Sequence, residues 1–277
     1  MTHYFQENLL KENWQNILLE GGGGYYNFNG IYLPQLPEND YGNYYELYCC
    51  VKDVLGVYLF NQDCYSYKYV DKLDKKLTEG VYCYQKPEDN CDITIHEGDI
   101  VLDLGAWIGD FSAYACKKGA TVYSFEPSEE NRILLEKTVE LNKENAGKII
   151  IVPFGVGDEN KTINFNLNKS HMASSTFITD DRSFITTQVA VVKLDDWVQE
   201  NNLNIDFIKA DIEGFERYML KGAVNILKTQ QPVLSLCTYH MPDDPEIMKN
   251  IILDANPNYK VIQRVQKMFA YVPKRCV

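Results

Sequence analysis

From residue 96 onward, short apolar runs alternate with segments in which apolar residues recur at helical spacing. The first runs are strand-sized and lie at residues 100–104, 121–125 and 149–153. Between them, helices are predicted to end at Lys118 and to span residues 129–142. This alternation is typical of an open parallel sheet with helices on both faces. We therefore predict an α/β fold for this part of the chain.

The alternation continues towards the C-terminus. Further strands are predicted at residues 189–192, 206–210 and 233–237, followed by a helix after Pro245. The last two apolar runs occupy residues 259–264 and 268–272. We predict that they form a hairpin that closes the edge of the sheet.

Before Glu97 the pattern is different, because 14 of the 20 tyrosines lie there. An amphipathic segment at residues 9–19 is followed by four glycines, and residues 44–84 predict short aromatic strands. We predict a Tyr-rich N-terminal α+β extension at residues 1–96 and a ligand-binding domain at residues 97–277. Tyrosine offers an apolar ring and a hydroxyl, so the extension suits a lid or sugar platform, and equally a core or a homo-oligomer interface.

Charge and composition narrow the functional classes. The net charge of −12 would repel a nucleic-acid backbone, so no nucleic-acid partner is expected. The longest apolar runs are far shorter than the roughly 20 residues that span a bilayer, so no membrane span is expected. The N-terminus lacks the pattern of a secretory signal, and the eight cysteines include no C-x-x-C pair. We expect a cytoplasmic protein with free thiols.

The first predicted turn from strand to helix carries the sequence DLGAWIG at residues 103–109, and the next strand is followed by Glu126. In a doubly wound sheet this turn lies where nucleosides bind, and such an acid contacts the ribose hydroxyls. A dinucleotide fingerprint that starts at Gly105 would need glycine at two positions that hold Trp107 and Asp110. The indole blocks close backbone approach, and the carboxylate opposes a pyrophosphate, so NAD is disfavoured.

S-adenosyl-L-methionine (SAM) suits this turn better, because it has no phosphate and carries a cationic sulfonium. Asp103 would hold its amino group and the helix amides after Gly109 its carboxylate. The residues expected to bind SAM are Asp103, Gly105, Trp107, Gly109, Glu126, Pro127, Ser128, Gly155 and Val156. A glycine turn with a capping acid and no ligand is the alternative interpretation.

A second candidate site has the sequence DFIKADIEGFE at residues 206–216. Four ionisable side chains follow one another closely at the end of an apolar strand: Lys209, Asp211, Glu213 and Glu216. Ligands bind at the carboxyl ends of strands in open sheets, which favours a functional site over a solvated cluster that caps the next helix.

Together, these two sequences and FEP at residues 125–127 resemble the FkbM-type SAM-dependent methyltransferases. The resemblance covers about residues 100–240 and includes LDD at residues 194–196. It implies a Rossmann-like class I methyltransferase fold, with a mostly parallel seven-stranded sheet and helices on both faces. It also implies, most often, O-methylation of a hydroxyl of a small metabolite, sugar or glycan.

Methyl transfer from a sulfonium needs in-line alignment, and an alcohol acceptor must also lose its proton. His240 follows the neighbouring strand in the usual sheet order, so either it or Asp211 is a candidate base. The predicted catalytic residues are Asp211, His240, Lys209, Glu213 and Glu216. A divalent metal held by Asp211, Glu213 and His240 is a less favoured mechanism.

Other functions stay open at this point. The acceptor could be an amine or amino sugar, which would make the protein an N-methyltransferase. The chain could also be a non-catalytic SAM-binding interaction protein. The polar sequence HMASST at residues 171–176 is either a loop that closes over the acceptor or a plain surface loop.

Overall fold

A computed structural model of the chain describes residues 24–28, 30–36, 84–86, 91–167, 185–263 and 267–273. Four sequence predictions lie wholly or mostly outside these residues. They are the amphipathic segment 9–19, the glycine run, the aromatic strands of residues 44–84 and the loop at residues 171–176.

The described residues before Glu97 form two short antiparallel pairs. The first pair joins β1 (Tyr25–Phe28) to β2 (Ile31–Pro34), and the second joins β3 (Tyr84–Lys86) to β4 (Cys91–Ile93). Ile31 and Leu33 of β2 are fully buried, as is Ile93 at the end of β4. These segments therefore contribute to the core of the domain that follows. The boundary near residue 97 stays a prediction.

The next part of the chain follows the predicted alternation. Its elements are β5 (Ile100–Leu104), α1 (Asp110–Lys117), β6 (Thr121–Phe125), α2 (Glu129–Leu141) and β7 (Lys148–Val152). Helix α2 begins after Ser128, whose side chain accepts a hydrogen bond from the backbone of Asn131, as expected of an N-cap. The predicted strands and helices are confirmed here to within a residue or two.

The remaining elements extend to the C-terminal hairpin. They are β8 (Gly155–Gly157), β9 (Lys161–Leu167), β10 (Ile185–Lys193), α3 (Leu194–Glu200), β11 (Phe207–Ala210), α4 (Glu216–Lys221), α5 (Val224–Thr229), β12 (Val233–Cys237), α6 (Asp244–Ala255), β13 (Lys260–Gln263) and β14 (Lys267–Tyr271). Among the described helices, none combines the length and the apolar character that crossing a bilayer requires.

Seven strands form one sheet in the order β13-β14-β12-β11-β5-β6-β7. The five strands from β12 to β7 are parallel, and β14 runs antiparallel to both β12 and β13. This arrangement confirms the mostly parallel seven-stranded sheet and the hairpin at its edge. The inner strands β11 and β12 are buried along their whole length, which explains their unbroken apolar sequences.

A second sheet of three strands, in the order β8-β10-β9, was not predicted. The strand predicted at residues 189–192 lies in the second half of β10, which is longer and belongs to this small sheet rather than to the main one. Strand β9 pairs with it antiparallel through seven residue pairs. Only two residues separate the end of β7 from the start of β8, so the small sheet lies next to the carboxyl end of the main sheet.

Apolar side chains pack on both faces of the main sheet. On one face Phe111 of α1 stacks on Phe207 of β11 at 6.0 Å between ring centroids, in a cluster that includes Ile31 and Ile93. On the other face Trp197 of α3 packs edge-on against Phe125, in a cluster that includes the apolar residues of α4 to α6. Helices on both faces are thus confirmed.

Candidate functional site

Two turns meet at the carboxyl end of the main sheet. Strands β5 and β11 are parallel neighbours, with Leu104 opposite Ala210, so the turns after them lie side by side. Gly105 has a φ of 75°, and a Cβ there would lie 1.9 Å from the carbonyl oxygen of Asp211. Only glycine fits this position, because both the backbone conformation and the approach exclude a side chain.

Hydrogen bonds to Glu126 connect the turn after β5 to the end of β6. Its carboxylate accepts hydrogen bonds from the backbone N–H of Trp107 at 2.9 Å and of Ser128 at 2.8 Å. Trp107 itself has a φ of 48°, which is rare for a bulky residue. Glu126 is only 4% exposed, and this burial raises the pKa of its carboxyl to about 7. These two hydrogen bonds hold the carboxylate in a fixed position, where it lines a cavity.

A cavity that opens to solvent lies between the two turns and the small sheet. Its empty volume, including the open mouth, is about 490 Å³. Eight of the predicted site residues line it: Gly105, Trp107, Glu126, Pro127, Gly155, Val156, Asp211 and Glu213. Five further lining residues were not predicted: Phe125, Asn131, Phe154, Phe165 and Ile212. The wall is thus largely aromatic and apolar, with a few acidic and amide groups, as small-molecule sites usually are.

Asp103 and Lys209 do not line this cavity. They lie opposite each other on β5 and β11 and form a buried ion pair of 3.0 Å. Burial alone would lower the pKa of Lys209, but nearby carboxylates, Asp103 first, raise it above its usual range. The ammonium also donates to the carbonyl of Gly105 at 2.8 Å. This pair supports the first turn from behind. The catalytic role of Lys209 and the ligand contact of Asp103 stay predictions.

Gly109 and Ser128 also lie outside the cavity wall and serve the packing of helices. Gly109 precedes α1 with a φ of 86°, and a Cβ there would lie 2.4 Å from Leu135 of α2. Ser128 caps α2 and donates its backbone N–H to Glu126. Both residues thus help to position the turn and Glu126, and their contact with SAM stays a prediction.

The remaining predicted catalytic residues gather at the ends of β11 and β12. His240 lies with Nε2 3.6 Å from Asp211 and 3.5 Å from Glu213, and with Nδ1 3.0 Å from Glu216. Burial lowers the pKa of His240, but the carboxylates of Glu213 and Glu216 outweigh it and raise the pKa to about 11. In this geometry the neighbouring carboxylates favour the protonated form of the ring. The role of His240 as a base stays a prediction.

Tyr239 was not predicted as a site residue, although it lies next to His240. Its hydroxyl donates to Asp211 at 3.2 Å, its ring lies 4.1 Å from that of His240, and it is 49% exposed. The exposed ring therefore lies beside the carboxylates at the ends of β11 and β12.

Some missed lining residues left a signal in the sequence. Phe165 lies on β9, where apolar Ile163, Phe165 and Leu167 alternate with polar residues, a period that predicts a strand. Ile212 lies within the second acidic sequence. Phe154 follows β7 without a pattern of its own and is brought to the cavity by the turn into β8.

The order of the main sheet, with antiparallel β14 inserted between β12 and β13, and the cavity at its carboxyl end define a class I methyltransferase fold. The sequence profile of the methyltransferase FkbM domain matches residues 103–261. The match covers more than half of the chain, and the chain belongs to this family.

Two relatives illustrate the similarity. Over 165 residues the chain is 26% identical to the hexuronic acid methyltransferase AglP of Haloferax volcanii, covering 57% of this chain and 63% of that protein. The crystal structure of methyltransferase FkbM from Methylobacillus flagellatus KT superposes with a TM-score of 0.52 and 19% identity, covering 84% of this chain and 61% of that one. The chain thus matches less than two thirds of the length of each relative.

Proposed function

We propose that the chain transfers the methyl group of SAM to a hydroxyl of a sugar, glycan or similar small polyhydroxylated molecule. One observation carries the proposal: the cavity that holds Glu126 on one wall has Asp211 and Glu213 on another. A nucleoside site and an acidic acceptor site are thereby adjacent. Membership of the FkbM methyltransferase domain family supports the reaction class, and the name of the relative AglP supports a carbohydrate acceptor.

The cavity suits SAM in several ways. Glu126 offers a carboxylate to the two ribose hydroxyls, and Phe154 and Phe165 offer apolar walls to the nucleoside. The indole Nε1 of Trp107 is buried and has no hydrogen-bond partner among the described residues, although a buried donor normally has one. A ligand in the cavity would supply that partner. SAM, when bound, supplies an electrophilic methyl group.

On the acceptor side, carboxylates and an aromatic ring form the surroundings expected for a sugar. Asp211 and Glu213 can accept hydrogen bonds from hydroxyls, and the exposed ring of Tyr239 offers an apolar face. Asp211 already accepts from Tyr239 and has Lys267 4.0 Å away, which stabilises its charged form. Glu213 is therefore assigned as the group that takes the proton from the acceptor hydroxyl.

The proposal is tested with SAM that carries a labelled methyl group. Glycosides of a neutral hexose, a hexuronic acid and an amino sugar serve as acceptors, and products are analysed by mass spectrometry before and after mild alkali. We expect label in an alkali-stable methyl ether. Label on nitrogen, or in an alkali-labile ester, would assign a different acceptor group. SAM binding without transfer to any acceptor would favour a non-catalytic protein.

Replacement of the proposed base tests the mechanism. Glu213→Gln should lower kcat by about 10²–10⁴-fold, the usual loss when a general base is removed, while SAM affinity changes little. Glu140→Gln is the matched control, because Glu140 is an exposed helical residue far from the turns. Equal kcat in both variants would reject Glu213 as the base.

A further inference from the structure

A cluster of metal-ligand atoms adjoins the cavity at the ends of β11 and β12. One side-chain atom from each of Asp211, Glu216 and His240 lies within 4.8 Å of the other two. Asp211 also lines the cavity, so the cluster lies next to the space for the acceptor. We infer that these three residues bind a divalent cation of the Mg²⁺ or Mn²⁺ type.

His240 provides an observation that is independent of the acidic residues. Its side chain is only 8% exposed, and neither ring nitrogen makes a well-directed hydrogen bond to any described residue. Buried polar atoms are nearly always satisfied, because an unsatisfied one costs about 1–3 kcal/mol. Both nitrogens nonetheless point among carboxylate oxygens at 3.0–3.6 Å. A cation bound to one ring nitrogen in place of its proton, with the other nitrogen donating its N–H to a carboxylate, would satisfy both nitrogens.

The spacing of the donor atoms matches a metal shell. Ligands at right angles around a cation, each about 2.1 Å away, lie about 3.0 Å from each other. Nδ1 of His240 lies 3.0 Å from Glu216, and one donor atom from each of Asp211, Glu216 and His240 lies within 4.8 Å of the other two. A shift of the partly buried Asp211 side chain towards the other two ligands would therefore complete the shell. Two carboxylates and one imidazole suit Mn²⁺ well and Mg²⁺ acceptably, whereas a soft thiolate-binding metal is disfavoured.

Two of the ligands already accept hydrogen bonds from groups outside the cluster. The oxygens of Glu216 accept the backbone N–H groups of Ile212 at 2.8 Å and of Gly214 at 3.0 Å. Asp211 accepts the hydroxyl of Tyr239. Such outer contacts orient ligands and are a regular feature of protein metal sites. Positioned ligands lose less conformational entropy when the cation binds.

The charges favour a cation at this point. Asp211, Glu213 and Glu216 bring three carboxylates around His240, and the Lys267 ammonium approaches no closer than 4.0 Å to Asp211. A bound cation would neutralise part of this charge and would bind an oxygen of the acceptor, which lowers the pKa of that hydroxyl. This last role rests on the proposed function, whereas the binding of the cation itself does not.

The experiment titrates Mn²⁺ into the full chain, with and without SAM, and follows free Mn²⁺ by electron paramagnetic resonance. We expect one Mn²⁺ per chain, displaced by excess Mg²⁺. His240→Asn and Asp211→Asn should each weaken Mn²⁺ binding by about 10-fold or more. Asp243→Asn is the control, because it removes one exposed acidic charge nearby and should leave Mn²⁺ binding unchanged.

Absence of saturable Mn²⁺ binding by the folded chain would overturn the inference, as would equal Mn²⁺ affinity in all three variants. Thermal melts identify any variant that fails to fold, and the other ligand variant then decides. If the chain binds no Mn²⁺ and methyl transfer persists after chelation, the inferred cation site is rejected and the proposed function stands. Stoichiometric Mn²⁺ binding without methyl transfer to any sugar would support the cation site and reject the proposed function.

Discussion

At the scale of single residues, the structure separates side chains that face the cavity from those that hold the turns. Trp107 and Glu126 belong to the first group, and the left-handed backbone of Trp107 is fixed by its hydrogen bond to Glu126. A left-handed conformation costs a residue with a Cβ roughly 1–2 kcal/mol. Strained residues of this kind cluster at functional sites, because the surrounding structure must compensate for them.

The pH dependence of SAM binding should reflect the ionisation of the Glu126 carboxyl group. Its raised pKa of about 7 favours the protonated form in the folded state. Its contribution to stability is therefore present at low pH and is lost as the pH rises towards 7. Ribose hydroxyls bind best to the ionised form, so SAM affinity should rise by up to about tenfold per pH unit below pH 7. Calorimetry from pH 5.5 to 8.5 would measure this slope.

Glu126→Gln should remove that part of the slope and weaken SAM binding by about 1.5–3 kcal/mol at pH 8, the value of a charged hydrogen bond. Because SAM has a titratable amino group of its own, the difference between wild type and variant is the diagnostic quantity. Identical slopes would place the titrating group elsewhere.

The buried pair of Asp103 and Lys209 should control stability. Asp103→Asn leaves the Lys209 ammonium without its buried partner, which should lower the free energy of unfolding by about 3–5 kcal/mol in urea titrations. Adding Lys209→Met removes the unpaired charge and should restore part of the loss. A single Asp103→Asn variant as stable as wild type would show that the pair contributes little.

At the scale of elements, the turns after β5 and β11 meet in one backbone contact. Gly105 after β5 lies against the carbonyl of Asp211 after β11, and Asp211 donates its own N–H to Leu104 at 3.1 Å. Parallel pairing of β5 with β11 brings the two turns together, and the missing side chain of Gly105 lets them touch.

Gly105→Ala should therefore disrupt more than its own backbone conformation. Gly98 is a matched control, since its φ of 85° is similar and a Cβ there would meet no atom within 4 Å. We expect Gly98→Ala to lower the free energy of unfolding by about 1 kcal/mol and Gly105→Ala by at least about 2 kcal/mol more, with loss of SAM binding. Equal losses in the two variants would mean that the turns separate without difficulty.

The same elements explain what could be predicted from the sequence. Strands β5, β6, β11 and β12 are buried among helices, so their apolar runs identify them as strands. Strand β8 is only Gly155–Gly157, too short for any period, and the small sheet was therefore missed. The sequence placed Asp103 and Lys209 at strand ends correctly. It could not reveal that they face each other across two strands, because that depends on the pairing register.

At the scale of the whole molecule, the described N-terminal segments are built into the methyltransferase core. The hairpin of β1 and β2 packs on the helical face through fully buried Ile31 and Leu33. Asn142, after α2, bonds the backbone N–H and carbonyl of Tyr32 at 3.0 and 2.6 Å. We therefore expect the hairpin and the domain to unfold together.

Ile31→Ala tests this expectation. Removing a fully buried isoleucine side chain should lower the free energy of unfolding by about 2–5 kcal/mol and shift a single urea transition. Ile133→Ala is the control, because Ile133 is 51% exposed and its loss should change stability by less than about 0.5 kcal/mol. Two separate transitions, or an unchanged midpoint for Ile31→Ala, would show that the hairpin unfolds independently.

Because Trp107 lines the cavity, its intrinsic fluorescence can report the binding of a ligand. Its indole forms part of the cavity wall, whereas Trp197 is packed on the far side of Phe125, between that ring and Tyr123. Indole fluorescence depends on the polarity and hydrogen bonding of its immediate surroundings. Occupation of the cavity should therefore change the emission of Trp107 and leave that of Trp197 nearly constant, so ligand binding can be timed in a stopped-flow instrument without any attached dye.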